Sequence, residues 1–141
     1  MVPPDVEVVV VHDAARPLAS PGIWRAVIEA VQDGADAAVP AVGLTDTVKQ
    51  VHPDGSLHTL DRTALVAVQT PQAFRTSILR QVHAGGAHAT DDAALVEAAG
   101  GVVKLVAGSR ENIKVTDVSD LAIAAVLMGR SALGARTEVT R

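Results

Sequence analysis

Between Val6 and Val11 the chain places five valines around a single Glu7, and the run stops at His12. β-Branched side chains are at ease in an extended backbone and crowded in a helix, so this is a strand. A strand so continuously apolar is expected to be buried on both faces inside a parallel sheet, not at an edge. Ser20 followed by Pro21 then supplies an N-cap with proline at the first helical position. Ile23, Val27 and Val31 recur at four-residue spacing as far as Gly34, which predicts a helix over about Pro21–Asp33. Ala37 to Val42 returns to a short strand interrupted by Pro40. Strand, helix and strand in that order predict an α/β domain.

The next stretch differs in kind. Thr47–His52 and Leu57–Leu60 are moderately polar strands flanking Pro53-Asp54-Gly55-Ser56, a turn signal, so together they predict a β-hairpin arm over about residues 45–62. The arm carries too little apolar surface to be central and is expected to project from the domain or to lie on another subunit. Val66–Gln69 reads as a strand ending at Thr70-Pro71, followed by a helix from about Arg75 to His83. Gly85-Gly86-Ala87-His88-Ala89 is a loop, Thr90-Asp91-Asp92 caps a helix reaching Gly100, Val102–Val106 is a strand, and Val118–Met128 is a last helix. One domain over 1–128 accounts for these elements, and 129–141 is expected to be a disordered tail.

Small side chains fill this domain. Trp24 and Phe74 are the only aromatics, against 25 Ala and 23 Val among 141 residues. At ~25 cal/mol per Å² of apolar surface each buries little, so close packing has to replace bulk. Twelve basic and sixteen acidic residues give a net charge of −4 without a like-charge run, and no basic face interleaves with aromatics, which argues against a nucleic-acid partner. The absence of cysteine removes disulfides, thiolate zinc sites and cysteine nucleophiles. The longest apolar stretch, Leu121–Met128, is far below the ~20 residues of a membrane span. Met-Val-Pro-Pro-Asp has neither a positive n-region nor an apolar h-region, so a cytoplasmic location is expected.

The sharpest chemical feature is His12-Asp13-Ala14-Ala15-Arg16-Pro17, at the end of the valine strand. In open α/β sheets ligands bind outside the carboxyl ends of strands. Asp13 offers a hard oxygen ligand for Mg2+, and Arg16 a planar donor fork suited to phosphate. An Asp–Arg pair that only braces a loop has the same spacing. Asn112-Ile113-Lys114-Val115-Thr116 places a lysine between apolar neighbours near a helix N-terminus, a position suited to neutralising phosphate, although a solvated surface lysine reads the same way. Taken singly, Arg62 and Thr70 read as a surface ion-pair residue and a strand terminator. His12 reads as a hydrogen-bonded strand-end histidine. No HExxH pair, GxSxG elbow or Gly-rich phosphate loop occurs.

HDAARP, DTVK, DR, TPQAF, TDDAALVE and NIKVT, in this order from Val9 to about Met128, resemble the 2-C-methyl-D-erythritol 4-phosphate cytidylyltransferases of non-mevalonate isoprenoid synthesis. The resemblance implies a Rossmann-like nucleotidyltransferase fold, a mixed sheet flanked by helices, with the arm forming a homodimer. It also implies Mg2+ as cofactor, and transfer of a cytidylyl group from CTP to methylerythritol phosphate with release of pyrophosphate. On this chain it implies that Asp13 ligates Mg2+ and that Arg16 and Thr70 line the substrate site. Thr47 and Arg62 would reach the sugar phosphate of the partner subunit, and Lys114 with Arg62 would position the attacking phosphate. Family members have an additional N-terminal segment with a Gly-rich loop for the CTP triphosphate, so the chain is expected to be an incomplete fold: the sugar-phosphate and dimerisation part. Two other readings stand beside this one: an inactive sugar-phosphate-binding or dimerisation module, and a pentitol-phosphate cytidylyltransferase.

Overall fold

A computed structural model describes residues 2–84, 89 and 91–138, with side chains through Arg130. Strand β1 (Val8–Val11) leads through the HDAARP loop to helix α1 (Pro21–Gln32), whose Ser20 cap accepts the Ile23 N–H and whose exit turns at Gly34 with φ +112°. Strand β2 (Ala37–Gly43) follows, then the hairpin of β3 (Lys49–Val51) and β4 (Leu57–Thr59), a 3-10 turn at Arg62–Ala64, β5 (Val66–Val68) and β6 (Gln72–Arg75). Helices α2 (Thr76–Ala84) and α3 (Asp92–Ala98), strand β7 (Val103–Ala107) and helix α4 (Val118–Glu138) complete the order.

The main sheet is mixed. β2 pairs parallel with β7 along one side, while its other side is shared by β6 at Ala37–Ala38 and β5 at Ala41–Gly43, both antiparallel. β5 and β6 are thus one interrupted strand with its corner at Gln69-Thr70-Pro71. The Gln69 N–H holds that corner to the Pro40 carbonyl at 2.7 Å. Alternation along the strands divides the core into two layers. Ala38 and Ala73 face Val27, Ala30 and Val31 of α1, while Ala37, Val39 and Phe74 face Val82 of α2 and Ala93, Leu95 and Val96 of α3. Alanine at the crossing points lets the helices approach closely, and Phe74, wholly buried, supplies the bulk on one side.

In three places the sequence expectations need correction. β1 is antiparallel to β6, its one partner among the described residues, where the valine run suggested a parallel sheet. The run reports what covers a strand's faces and is silent about its edges. β6 has no counterpart in the sequence reading, because Gln-Ala-Phe-Arg is too short to show a period; it nonetheless forms the bridge between β1 and β2. Helix α4 continues past Met128 to Glu138. Gly129 and Gly134 weaken a helix by about 1 kcal/mol each without ending it, and Ala, Leu and Arg between them are good helix formers. The loop expected at 85–89 and the Thr90 part of its cap fall outside the described residues apart from Ala89. Asp91 does cap α3, accepting from the Ala94 N–H. Among the described residues, no helix is long and apolar enough to cross a membrane.

Candidate active site

Three segments meet at the carboxyl end of β1. The first is the loop after β1, held closed by the Arg16 N–H on the Asp13 carbonyl and by Asp13 Oδ1, which accepts the Ala15 N–H at 2.9 Å. The second is the β5–β6 corner: Thr70 Oγ1 accepts the Asp13 N–H at 3.0 Å and lies 3.1 Å from His12 Nδ1, while His12 Nε2 lies 3.0 Å from the Arg16 carbonyl. A carbonyl can only accept, so His12 Nε2 carries a proton and donates to Arg16 O, and the ring packs against Trp24 at 4.9 Å between centroids. The third segment runs from Gly108 to Val115. It is tied in by the Val115 N–H on the Ala15 carbonyl and by Arg16 Nη1 on the Asn112 carbonyl, both at 2.8 Å.

Together these ties bring the Lys114 ammonium to within 2.8 Å of Asp13 Oδ2. Lys114, and after it the Ala15 N–H, hold the Asp13 carboxyl below the usual carboxylate range, so Asp13 is an anion at neutral pH. Burial lowers the Arg16 pKa, with Asp13 opposing; a guanidinium stays charged regardless. The Arg16 Nε–H is buried and has no hydrogen-bond partner among the described residues. Beside the cluster opens a cleft of about 440 Å³ lined by Arg16, Arg110 and Lys114 on one hand and Val42, Leu44 and Asp46 on the other. Two cations belonging to the cluster and one further arginine therefore look into a single space, which suits an anionic ligand with an apolar part.

The structure thus gathers Asp13, Arg16, Thr70 and Lys114. Thr47 and Arg62 do not join them. Thr47 is exposed at the foot of the hairpin, and Arg62 donates to the Thr45 carbonyl and lines an adjoining cavity that shares Leu44 and Thr45 with the cleft. Sequence reasoning passed over Gln69 and Asn112, both buried amides that join the corner to the third segment. Each stands beside a predicted binding residue, Gln69 before Thr70 and Asn112 two before Lys114, but position alone does not mark a polar side chain as buried. Among the described residues no group of three or more His, Cys, Asp or Glu side chains forms a cage for a metal.

A family model described as 2-C-methyl-D-erythritol 4-phosphate cytidylyltransferase matches residues 1–130. A curated relative of that name from Rubrobacter xylanophilus is 47% identical over 137 residues, covering 94% of this chain and 59% of the relative. The crystal structure of the Thermus thermophilus enzyme of the same name is similar with TM-score 0.77 and 38% identity, over 87% of this chain and 63% of that one. A 4-diphosphocytidyl-2C-methyl-D-erythritol synthase from Anaerococcus prevotii gives TM-score 0.83 at 30% identity, over 91% of this chain and 61% of that one. The chain spans less than two thirds of the length of each.

Proposed function

Since the chain belongs to the 2-C-methyl-D-erythritol 4-phosphate cytidylyltransferase family, we propose that it forms the sugar-phosphate side of a centre that moves a cytidylyl group from CTP to 2-C-methyl-D-erythritol 4-phosphate. In that reaction a phosphate oxygen of the sugar attacks the α-phosphorus of CTP, and pyrophosphate leaves. Both reacting groups are anions, so the site must first screen them from each other; beyond that, positioning and electrostatic stabilisation are most of what the transfer requires. The observation that carries the reading is the convergence of Arg16 and Lys114 on one cleft, with Asp13 holding Lys114 in place.

In this reading Lys114 exchanges part of its contact with Asp13 for the attacking phosphate, Arg16 bonds the same region through its free N–H groups, and Thr70 fixes the Asp13 backbone. Mg2+ fits the donor set in one way. This ion is commonly held by one or two carboxylates plus substrate phosphates, and Asp13 offers one partly exposed carboxylate beside the cleft. Bound there it would neutralise phosphate charge. Homodimer formation through the hairpin is part of the proposal, with Thr47 and Arg62 serving the partner subunit's site. Its support is that both lie outside the cluster of their own chain and that the arm exposes Val51 and Leu57. A cytoplasmic location goes with it, since CTP is an intracellular nucleotide.

Calorimetric titration with methylerythritol phosphate tests the reading. Binding is expected, weakened roughly tenfold or more in Lys114→Ala and in Arg16→Ala, the equivalent of one charge-assisted hydrogen bond. A pentitol phosphate should bind more weakly. No binding, or binding indifferent to both substitutions, overturns the assignment; preference for the pentitol phosphate transfers it to that substrate.

A further inference from the structure

Gln69 is 6% exposed, and all of its side-chain hydrogen-bonding groups are engaged by one segment. Nε2 donates to the Ser109 carbonyl at 2.8 Å and, more weakly, to the Asn112 carbonyl at 3.4 Å. Oε1 accepts the Ser109 N–H at 3.1 Å and faces Asn112 Nδ2 at 3.4 Å. This pattern of two carbonyls facing one end and two donors facing the other is satisfied by a carboxamide; a carboxylate would face the carbonyls with no proton, and a hydrocarbon would leave the Ser109 N–H without a partner among the described residues and take one bond from each of the other three groups. The segment also passes close beneath the amide. A Cβ built on Gly108 would lie 2.7 Å from Gln69 Oε1 and 2.9 Å from the Ala41 carbonyl, so only glycine permits the approach.

The carbonyl that Gln69 touches most weakly is the one the site uses. Asn112 O receives Arg16 Nη1 at 2.8 Å, and Asn112 itself, wholly buried, donates to the Thr70 carbonyl at 2.9 Å. Two residues further on is Lys114. We infer that Gln69 is a positioning residue for the cationic site, its carboxamide fixing the Ser109–Asn112 segment so that Arg16 and Lys114 meet the cleft together. The inference rests on the proposed reading for the ligand, though not for the geometry.

Two measurements on the folded protein test it. In amide hydrogen exchange the Val115 N–H, which donates to the Ala15 carbonyl at 2.8 Å, should be protected in the wild type. In Gln69→Met, of similar length but without the amide, that protection should fall at least roughly tenfold, as for loss of one hydrogen bond, while the amides that pair β2 with β7 should keep theirs. A Gln69 that only stabilised the fold would lower protection in β2 and at Val115 alike, or leave Val115 unchanged, and either result overturns the inference. Should Gln69→Met not fold, Gln69→Asn keeps the amide one methylene short of its partners and is read the same way. In the second measurement, affinity for methylerythritol phosphate should fall roughly tenfold in Gln69→Met, as for loss of one charged contact. If the wild type binds none, the functional reading fails while the Val115 exchange still decides the role of Gln69.

Discussion

Asp13 and Lys114 depend on each other in a way that pH exposes. The Asp13 carboxyl is held low in the folded chain by Lys114 and by the Ala15 N–H, while in the unfolded chain it reverts to ~3.9. A depressed folded pKa means that stabilisation is fully present above the unfolded value and is lost as pH falls through the folded one. Asp13→Asn keeps an acceptor for the Ala15 N–H and removes only the charge. Its urea midpoint should therefore fall short of wild type at pH 7, and the gap should close as pH drops below about 4; a gap constant with pH would show that the ion pair contributes nothing. Asp13, Arg16 and Lys114 were legible in the sequence because their chemistry is carried by residue type at a strand end or beside a helix. Gln69 and Asn112 were not, because a buried amide is defined by what surrounds it, and its partners here lie 40 to 43 positions away along the chain.

Helix α1 could be read almost to the residue because its signals are local: the Ser20 cap, Pro21 at the first turn, the four-residue period and Gly34 at the exit. Strand β6 could not, since its buried Gln72 is polar and its partners are far away in sequence. The hairpin lies between these cases. Its turn was readable, and Gly55 takes φ +82° where the turn requires it, with Asp54 accepting from the Ser56 N–H and hydroxyl. What covers it was not. Val51 and Leu57 sit directly opposite each other across β3 and β4, 69% and 63% exposed, on a two-stranded sheet that would be marginal alone. Docking of this pair on a second copy is the proposed remedy. Val51→Asp with Leu57→Asp should convert the dimer to monomer in analytical ultracentrifugation, leaving the main sheet's circular dichroism intact. A wild-type monomer at micromolar concentration, or an unaltered dimer in the double variant, would remove the arm from the interface.

The molecule as a whole has a two-layer core on either side of a sheet whose β1 edge carries no strand among the described residues. Val8 and Val10 turn toward the α1 layer, so Val9 points to the opposite face, and Val11 is 39% exposed at the strand's end. An apolar edge with unpaired backbone donors and acceptors is a template for another strand, and a core built mostly of Ala and Val leaves little stability in reserve. This 141-residue chain is therefore expected to form species larger than a dimer as concentration rises. Lysine on an edge strand is a common protection against such pairing. Val9→Lys, which spares the α1 layer, should shift these species back to the proposed dimer in light scattering coupled to size exclusion, and should lower thioflavin T binding on prolonged incubation. Association that persists unchanged in Val9→Lys would clear the β1 edge. It would direct attention instead to helix α4, where Leu121, Ile123 and Val126 are each at least half exposed.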